Sequence, residues 1–101
     1  MKNNIFKNKK ILVTGATGSV GTSVIMELIQ NYNFKVIRAM SNDENGLFLL
    51  KSKTNKNNFS LNSNIRFLHG DIRSKERCLE ISRDIDVVIH AAAMKHVDIC
   101  E

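Results

Sequence analysis

Three glycines, Gly15, Gly18 and Gly21, recur at three-residue intervals in Thr14-Gly15-Ala16-Thr17-Gly18-Ser19-Val20-Gly21. The chemistry open to such a turn is the binding of a pyrophosphate. Gly15 can take the tight backbone after a strand, Gly18 lets the main chain approach the phosphates, and Gly21 lets a following helix press against a sheet. The start of that helix adds free N–H groups and a partial positive charge. A turn that merely needs glycine is the alternative, and the context decides between them. Lys10-Ile11-Leu12-Val13-Thr14 before the turn is a short apolar run rich in β-branched residues, which predicts a buried strand. After it, Val20, Val24 and Leu28 recur at i, i+4 and i+8 with Ile25 and Ile29 beside them, which predicts a helix from about Ser19 to Gln30. A nucleoside-triphosphate loop is excluded, because Gly21 is followed by Thr22-Ser23 with no lysine.

Dinucleotide folds place a carboxylate about 20 residues beyond the glycines to read the adenosine ribose of NAD, whereas a nearby basic group suits NADP. Ser41 holds that place, with Asn42, Asp43 and Glu44 just after it and Arg38 three residues before. A small hydroxyl and a neighbouring arginine tolerate a 2′-phosphate, so the expected cofactor is NADP or NAD with a lean toward NADP. Asp43 would oppose a 2′-phosphate if it faced inward, but an aspartate here also suits a helix N-cap.

The elements that must position these residues alternate along the chain. Phe34–Ala39 is the second expected strand. Ser41-Asn42-Asp43 is a turn, and Leu47, Phe48 and Leu50 lie on a helix after it. Residues 52–64 read as a polar connection. Ile65–His69 is the third strand, Ser74 caps a helix carrying Cys78, Leu79 and Ile81, and Asp86–Ala91 is the fourth strand. Strands alternating with helices imply an α/β fold, a Rossmann-type parallel sheet with helices on both faces. It is partial, with about four strands in the order 3-2-1-4. Ligands of such sheets bind at the carboxyl ends of the strands, beside the point where the strand order reverses. The glycine turn and the later motifs fall at those ends.

Composition narrows the classes. The chain has 101 residues, 43% hydrophobic and 25% charged, an ordinary globular balance. Its net charge of +5 is local. Lys2, Lys7, Lys9 and Lys10 precede or open the first strand, and Lys51, Lys53 and Lys56 fall in or next to the polar connection. Phe6 is the single aromatic among them, so no base-stacking platform is expected and no nucleic-acid partner. Residues 1–9 read as a basic N-terminal extension, and residues 10–101 as the N-terminal part of a nucleotide-binding domain. No apolar run approaches the roughly 20 residues of a membrane span. Cys78 and Cys100 lack metal-ligand spacing and suit a reduced, cytoplasmic chain.

Taken together, the glycine turn, His69-Gly70-Asp71-Ile72-Arg73 and His90-Ala91-Ala92-Ala93-Met94-Lys95-His96-Val97 resemble the extended short-chain dehydrogenase/reductases. The last block is similar to polysaccharide-biosynthesis nucleotide-sugar enzymes, namely UDP-N-acetylglucosamine 4,6-dehydratases (inverting) and related capsular-polysaccharide epimerase/dehydratases. The resemblance runs from about Lys9 to Glu101 and covers roughly the first third of such an enzyme. It implies that Gly15, Thr17, Gly18, Ser19, Val20 and Gly21 hold the pyrophosphate. Asp71 and Ile72 would sit at the adenine, and Ala91, Ala92 and Ala93 would line the nicotinamide ribose. Lys95 would face the pocket for cofactor and UDP-sugar, with Met94 and His96 as wall residues. The residues leave plainer readings open: Asp71 as a turn cap, the alanines as core filler, Lys95 as a solvated loop residue. The intact enzyme is expected to be a homo-oligomer acting on a UDP-sugar.

Enzymes of this class use a Tyr-x-x-x-Lys pair, in which the lysine lowers the tyrosine pKa for acid–base work. The single tyrosine, Tyr32, has Val36 four residues on. No catalytic residue is therefore expected here. A truncated piece of a nucleotide-sugar enzyme, a stand-alone NAD(P)-binding module and a basic nucleic-acid-binding protein are the three readings that remain, with the first preferred.

Overall fold

In the computed structural model, which describes residues 2–56 and 64–91, the chain alternates strand and helix throughout. The elements are β1 (Lys10–Thr14), α1 (Ser19–Asn31), β2 (Val36–Ser41), α2 (Glu44–Lys56), β3 (Ile65–His69), α3 (Lys75–Ile81) and β4 (Val87–His90). All pairings are parallel and the strand order is β3-β2-β1-β4. This is the partial Rossmann-type sheet that the sequence implied.

Alternation along the strands divides the core between two faces. Ile11 and Val13 of β1 join Ile37 and Ala39 of β2 on one face, against Ile25, Leu28 and Ile29 of α1 and Leu50 of α2. Leu12 and Met40 project to the other face, against Ile81 of α3. β1 is buried on both sides, as a central parallel strand must be. Each fully buried Val or Ile stabilises the fold by about 1.5–3 kcal/mol. Ile11, Val13, Ile25, Ile29 and Ile37 are all less than 2% exposed, so the β1–β2–α1 unit holds the sheet together.

Two elements differ by more than one residue from their predicted bounds. β2 begins at Val36 and ends at Ser41, two residues later than the pattern suggested at both ends. Its bounds are set by its neighbours: Lys10 pairs with Val36 on one side, and Ser41 pairs with His69 on the other. α2 runs on to Lys56, so the polar connection predicted over 52–64 starts later. The residues that face α2 inward are Leu47, Leu50 and Thr54. They keep helical spacing, but the third is polar and is hidden from an apolar periodicity. Its hydroxyl is satisfied within the helix, donating to the Lys51 carbonyl at 2.8 Å.

Residues 2–9 dock at the far end of α1. Asn3 N–H donates to the Asn31 carbonyl (2.7 Å) and its carbonyl accepts from Asn33 N–H (2.9 Å). The Phe6 and Tyr32 rings lie 5.4 Å apart, and the Lys2 ammonium donates to the Ile29 carbonyl at 3.0 Å. A cation on the last carbonyls of a helix is favourably placed against its dipole. Lys7 and Lys9 themselves remain exposed.

Candidate functional site

The carboxyl ends of β1, β2 and β3 are drawn into line by main-chain bonds that continue the ladder beyond the strands. Ala16 N–H donates to the Met40 carbonyl (3.0 Å), and Gly70 N–H donates to the Ser41 carbonyl (2.9 Å). Three connecting segments are thereby set side by side, and a cleft of about 460 Å³ opens above them. Gly15, Thr17 and Gly18 line it from the glycine turn. Met40, Ser41, Asn42 and Asp43 line it from the end of β2, and Gly70, Asp71 and Ile72 from the end of β3.

The turn is built as its glycines require. Gly15 has φ 66°, the left-handed region that glycine enters without penalty. Gly21 is buried in the first turn of α1, and a Cβ there would lie 2.1 Å from the Gly15 carbonyl oxygen. The helix can begin this close to the strand only without a side chain at that position. The N-cap, Gly18, has no side chain to bond the first turn, and no acidic residue lies in that turn. α3, by contrast, is capped by Ser74, whose hydroxyl accepts from Arg77 N–H, and carries Glu76 in its first turn. The N–H groups opening α1 are thus left for an anion, at the edge of a cleft large enough for a nucleotide.

At the end of β2, the Ser41 and Thr17 hydroxyls are 2.8 Å apart and share a hydrogen bond. The Ser41 hydroxyl also accepts from Asp43 N–H at 3.0 Å. Asp43 caps α2, accepting from Gly46 N–H on Oδ1 (3.0 Å). At the end of β3, both Asp71 oxygens are engaged by Arg73: the guanidinium binds them at 2.7 and 3.1 Å, and Arg73 N–H donates to Oδ1 at 2.9 Å. The side-chain hydrogen bond from Arg73 is the main reason that the Asp71 carboxyl is lowered to about 2.

Of the residues predicted for the site, the structure brings Gly15, Thr17, Gly18, Ser41, Asp71 and Ile72 to the cleft wall. Ser19, Val20 and Gly21 form the first turn of α1 beside it. Ala91 is buried in the core at 2% exposure and lines no part of the cleft. Ala92, Ala93 and Lys95 lie outside the described residues. Arg38 is corrected. Its guanidinium lies on the α3 face of the sheet and donates to the carbonyls of Ile81 (2.6 Å) and Arg83 (2.8 Å). Arg38 lies three residues short of the end of β2 and is tied down on that face, and it is not among the residues that line the cleft. Sequence reasoning missed Met40 as a wall residue, and missed Gly46, where a Cβ would lie 2.9 Å from Thr17 Cβ. The second has a local signal, a glycine in the first turn of a helix that begins beside a phosphate-type turn.

A second hollow of about 400 Å³ lies on the α3 face, between Leu12, Met40, Cys78 and Val88. Among the described residues no group of His, Cys, Asp and Glu is arranged to hold a metal ion, and no helix is long and apolar enough to cross a membrane.

Comparison with known proteins agrees with this geometry. Residues 11–101 match the family described as polysaccharide biosynthesis protein. The chain is 42% identical over 98 residues to an uncharacterized membrane protein of Methanocaldococcus jannaschii, covering 97% of this chain and 27% of that one. It is 43% identical over 97 residues to a UDP-N-acetylglucosamine 4,6-dehydratase (inverting) of Campylobacter jejuni, covering 96% of this chain and 27% of the relative. It is 36% identical over 100 residues to a UDP-glucose 4-epimerase of Rickettsia bellii, covering 96% and 28%. Among solved structures, that of Pen from Bacillus thuringiensis superposes with a TM-score of 0.76 at 42% identity, covering 95% of this chain and 29% of that one. The chain thus spans little more than a quarter of the curated relatives that it matches. With a family match over nearly all its residues and a glycine turn, strand order and cleft that agree with it, this chain belongs to the polysaccharide biosynthesis protein family.

Proposed function

We propose that this chain is the nicotinamide-dinucleotide-binding portion of a nucleotide-sugar dehydratase of the UDP-N-acetylglucosamine 4,6-dehydratase type. The observation that carries the reading is the uncapped N-terminus of α1 opening onto a nucleotide-sized cleft at the carboxyl ends of β1–β3. The fit is one of chemistry as well as size. The first-turn N–H groups of Ser19, Val20 and Gly21 donate to the pyrophosphate, and Gly18 leaves room for it. Asp71 and Ile72 border the adenine, with Asp71 accepting from its exocyclic amine on the lone pairs that Arg73 leaves free. Ser41 and Asp43 stand at the adenosine ribose. Ala92, Ala93 and Lys95 keep the roles that the resemblance implies, along the nicotinamide ribose and the sugar-nucleotide pocket. A bound nicotinamide supplies reversible hydride transfer, used in such enzymes to oxidise C4 of the sugar before water is lost across C5–C6 and to return the hydride afterwards. None of these 101 residues is assigned the acid–base step. The 43% identity to the dehydratase, against 36% to the 4-epimerase, favours dehydration over epimerisation at C4. A UDP-sugar as substrate and the cytoplasm as location are part of the proposal.

Titration of this chain with NADH, followed by nicotinamide fluorescence, tests the cofactor reading. Saturable binding displaced by ADP-ribose, and lost in Gly18→Asp, which sets a carboxylate where the phosphates sit, is the expected result. Absence of binding at millimolar NADH would overturn it. The reaction class is tested with a protein carrying this chain together with the Tyr-x-x-x-Lys pair, by following loss of one water from UDP-N-acetylglucosamine by mass.

A further inference from the structure

We infer that the outer face of α2 is an interface between two copies of this chain, which pair antiparallel through Phe48 and Leu49. None of the residues on that face lines the cleft, so the surface is separate from the one that would hold a dinucleotide.

The inner side of α2 is fully used. Leu47, Leu50 and Thr54 are buried, and the helix packs on β2 and β3. The opposite side carries two adjacent large apolar side chains, Phe48 at 67% and Leu49 at 59% exposure. A single exposed apolar residue is ordinary. Two side by side form a contiguous patch, on a helix face that solvent alone would fill with polar groups.

The order of the residues around that patch points to its partner. Helical spacing sets the outer face in two stripes. Glu44, Phe48 and Lys51 follow at i, i+4 and i+7, and Asn45, Leu49 and Ser52 do the same one residue on. All six are exposed. A second copy, related by a two-fold axis perpendicular to the helix, lays each stripe on its own reverse. Phe48 then meets the partner's Phe48, and Leu49 meets the partner's Leu49. Glu44 faces the partner's Lys51 at both ends of the pair, and Asn45 faces the partner's Ser52 beside the centre. Each stripe is complementary to itself read backwards, with opposite charges at the ends of one and amide against hydroxyl in the other.

An anionic lipid surface suits the face less well. It would attract Lys51 but repel Glu44, which lies on the same stripe. The net charge of +5 opposes self-association at long range, but physiological salt screens charges separated by more than about 8 Å, and the facing Glu–Lys pairs are closer than that. One helix face is smaller than the about 1,200–2,000 Å² that stable interfaces bury, so the pair is a weak dimer with a dissociation constant in the micromolar range.

Sedimentation equilibrium of this chain, carried to millimolar concentration in physiological salt, tests the pairing. The expected result is a reversible monomer–dimer equilibrium. Phe48→Glu, at an exposed position, should weaken it at least about tenfold by setting two carboxylates at the centre. Glu44→Lys and Lys51→Glu should each weaken it severalfold, and the double variant should recover to within about twofold of the parent. The double variant keeps a lysine in the first turn of α2, where it disfavours the helix, so its recovery cannot come from a sounder helix. Circular dichroism melts check that every variant is folded. A chain that stays monomeric throughout overturns the inference. A dimer that Phe48→Glu leaves unchanged also overturns it and places the contact elsewhere. A double variant that fails to recover overturns the antiparallel pairing. A monomer that co-sediments with phosphatidylglycerol vesicles, and ceases to in Phe48→Glu, overturns the second copy as partner and assigns the face to lipid.

Discussion

Replacing Gly21 with alanine places one methyl group where the start of α1 meets the end of β1. The added carbon would lie 2.1 Å from the Gly15 carbonyl oxygen, 2.8 Å from the Gly15 carbonyl carbon and 2.8 Å from Ala16 Cα. All three are main-chain atoms, so no side chain can turn aside to relieve the contact. The Gly15 carbonyl is also held in place, accepting from Gly18 N–H at 3.2 Å. Relief requires α1 to move off the turn that it packs against. Overpacking of this kind costs about 1–3 kcal/mol, and rigid neighbours put this site at the upper end. Alanine returns up to about 1 kcal/mol as a better helix former than glycine. The net destabilisation is then about 2 kcal/mol, which at about 4–8 °C per kcal/mol for a chain of this size lowers the melting temperature by about 8–16 °C. Gly70→Ala is the internal control. A Cβ there would meet Arg77 Cγ at 3.0 Å, Ile81 Cδ1 at 3.1 Å and Met40 Cε at 3.2 Å, all on side chains that can shift. Its expected cost is below about 1 kcal/mol. Thermal and urea melts of both variants, followed by circular dichroism, read the difference. A Gly21→Ala variant that melts within a degree or two of the parent, or no lower than Gly70→Ala, would refute the close-approach argument.

Arg38→Met removes two hydrogen bonds to the carbonyls of Ile81 and Arg83. It should cost about 1–3 kcal/mol in urea denaturation while leaving the ratio of NADH to NADPH affinity unaltered; a changed ratio would return Arg38 to the ribose site. Ser74→Ala removes the cap of α3, a loss of about 1 kcal/mol at most given the long 3.4 Å bond, measurable in the same melts. The Asp71 carboxyl, lowered to about 2 chiefly by its hydrogen bond from Arg73, should return toward its ordinary 3.8 in Arg73→Ala, as read by carbon NMR through a pH titration. Because its folded value is depressed, the stabilisation that this pair contributes is present in full above about pH 4 and is lost as the pH falls toward 2. The parent should therefore lose stability relative to Arg73→Ala across that window and not above it. A carboxyl that stays near 2 in the variant would assign the shift to another cause.

The residues themselves determined the alternation of strand and helix, the parallel sheet and the placing of three motifs at strand ends. These follow from local properties: β-branched runs, an apolar stripe at helical spacing, and glycines where backbone must bend or approach closely. The Asp43 cap was legible for the same reason, since an aspartate three residues before Gly46 satisfies an N–H within its own turn. What required the folded chain was where nonlocal forces chose the outcome. The ends of β2 are set by the lengths of β1 and β3 beside it. α2 continues past its apolar pattern because a threonine fills the next inward position and bonds to its own helix. Arg38 looked like a phosphate reader by its distance from Ser41 along the chain. The pleat turned it to the other face, where the carbonyls ending α3 were waiting for a donor. Short-range chemistry fixes which elements form, but the direction of a side chain and the charge left in a cleft depend on partners far away in sequence, and only packing brings those together.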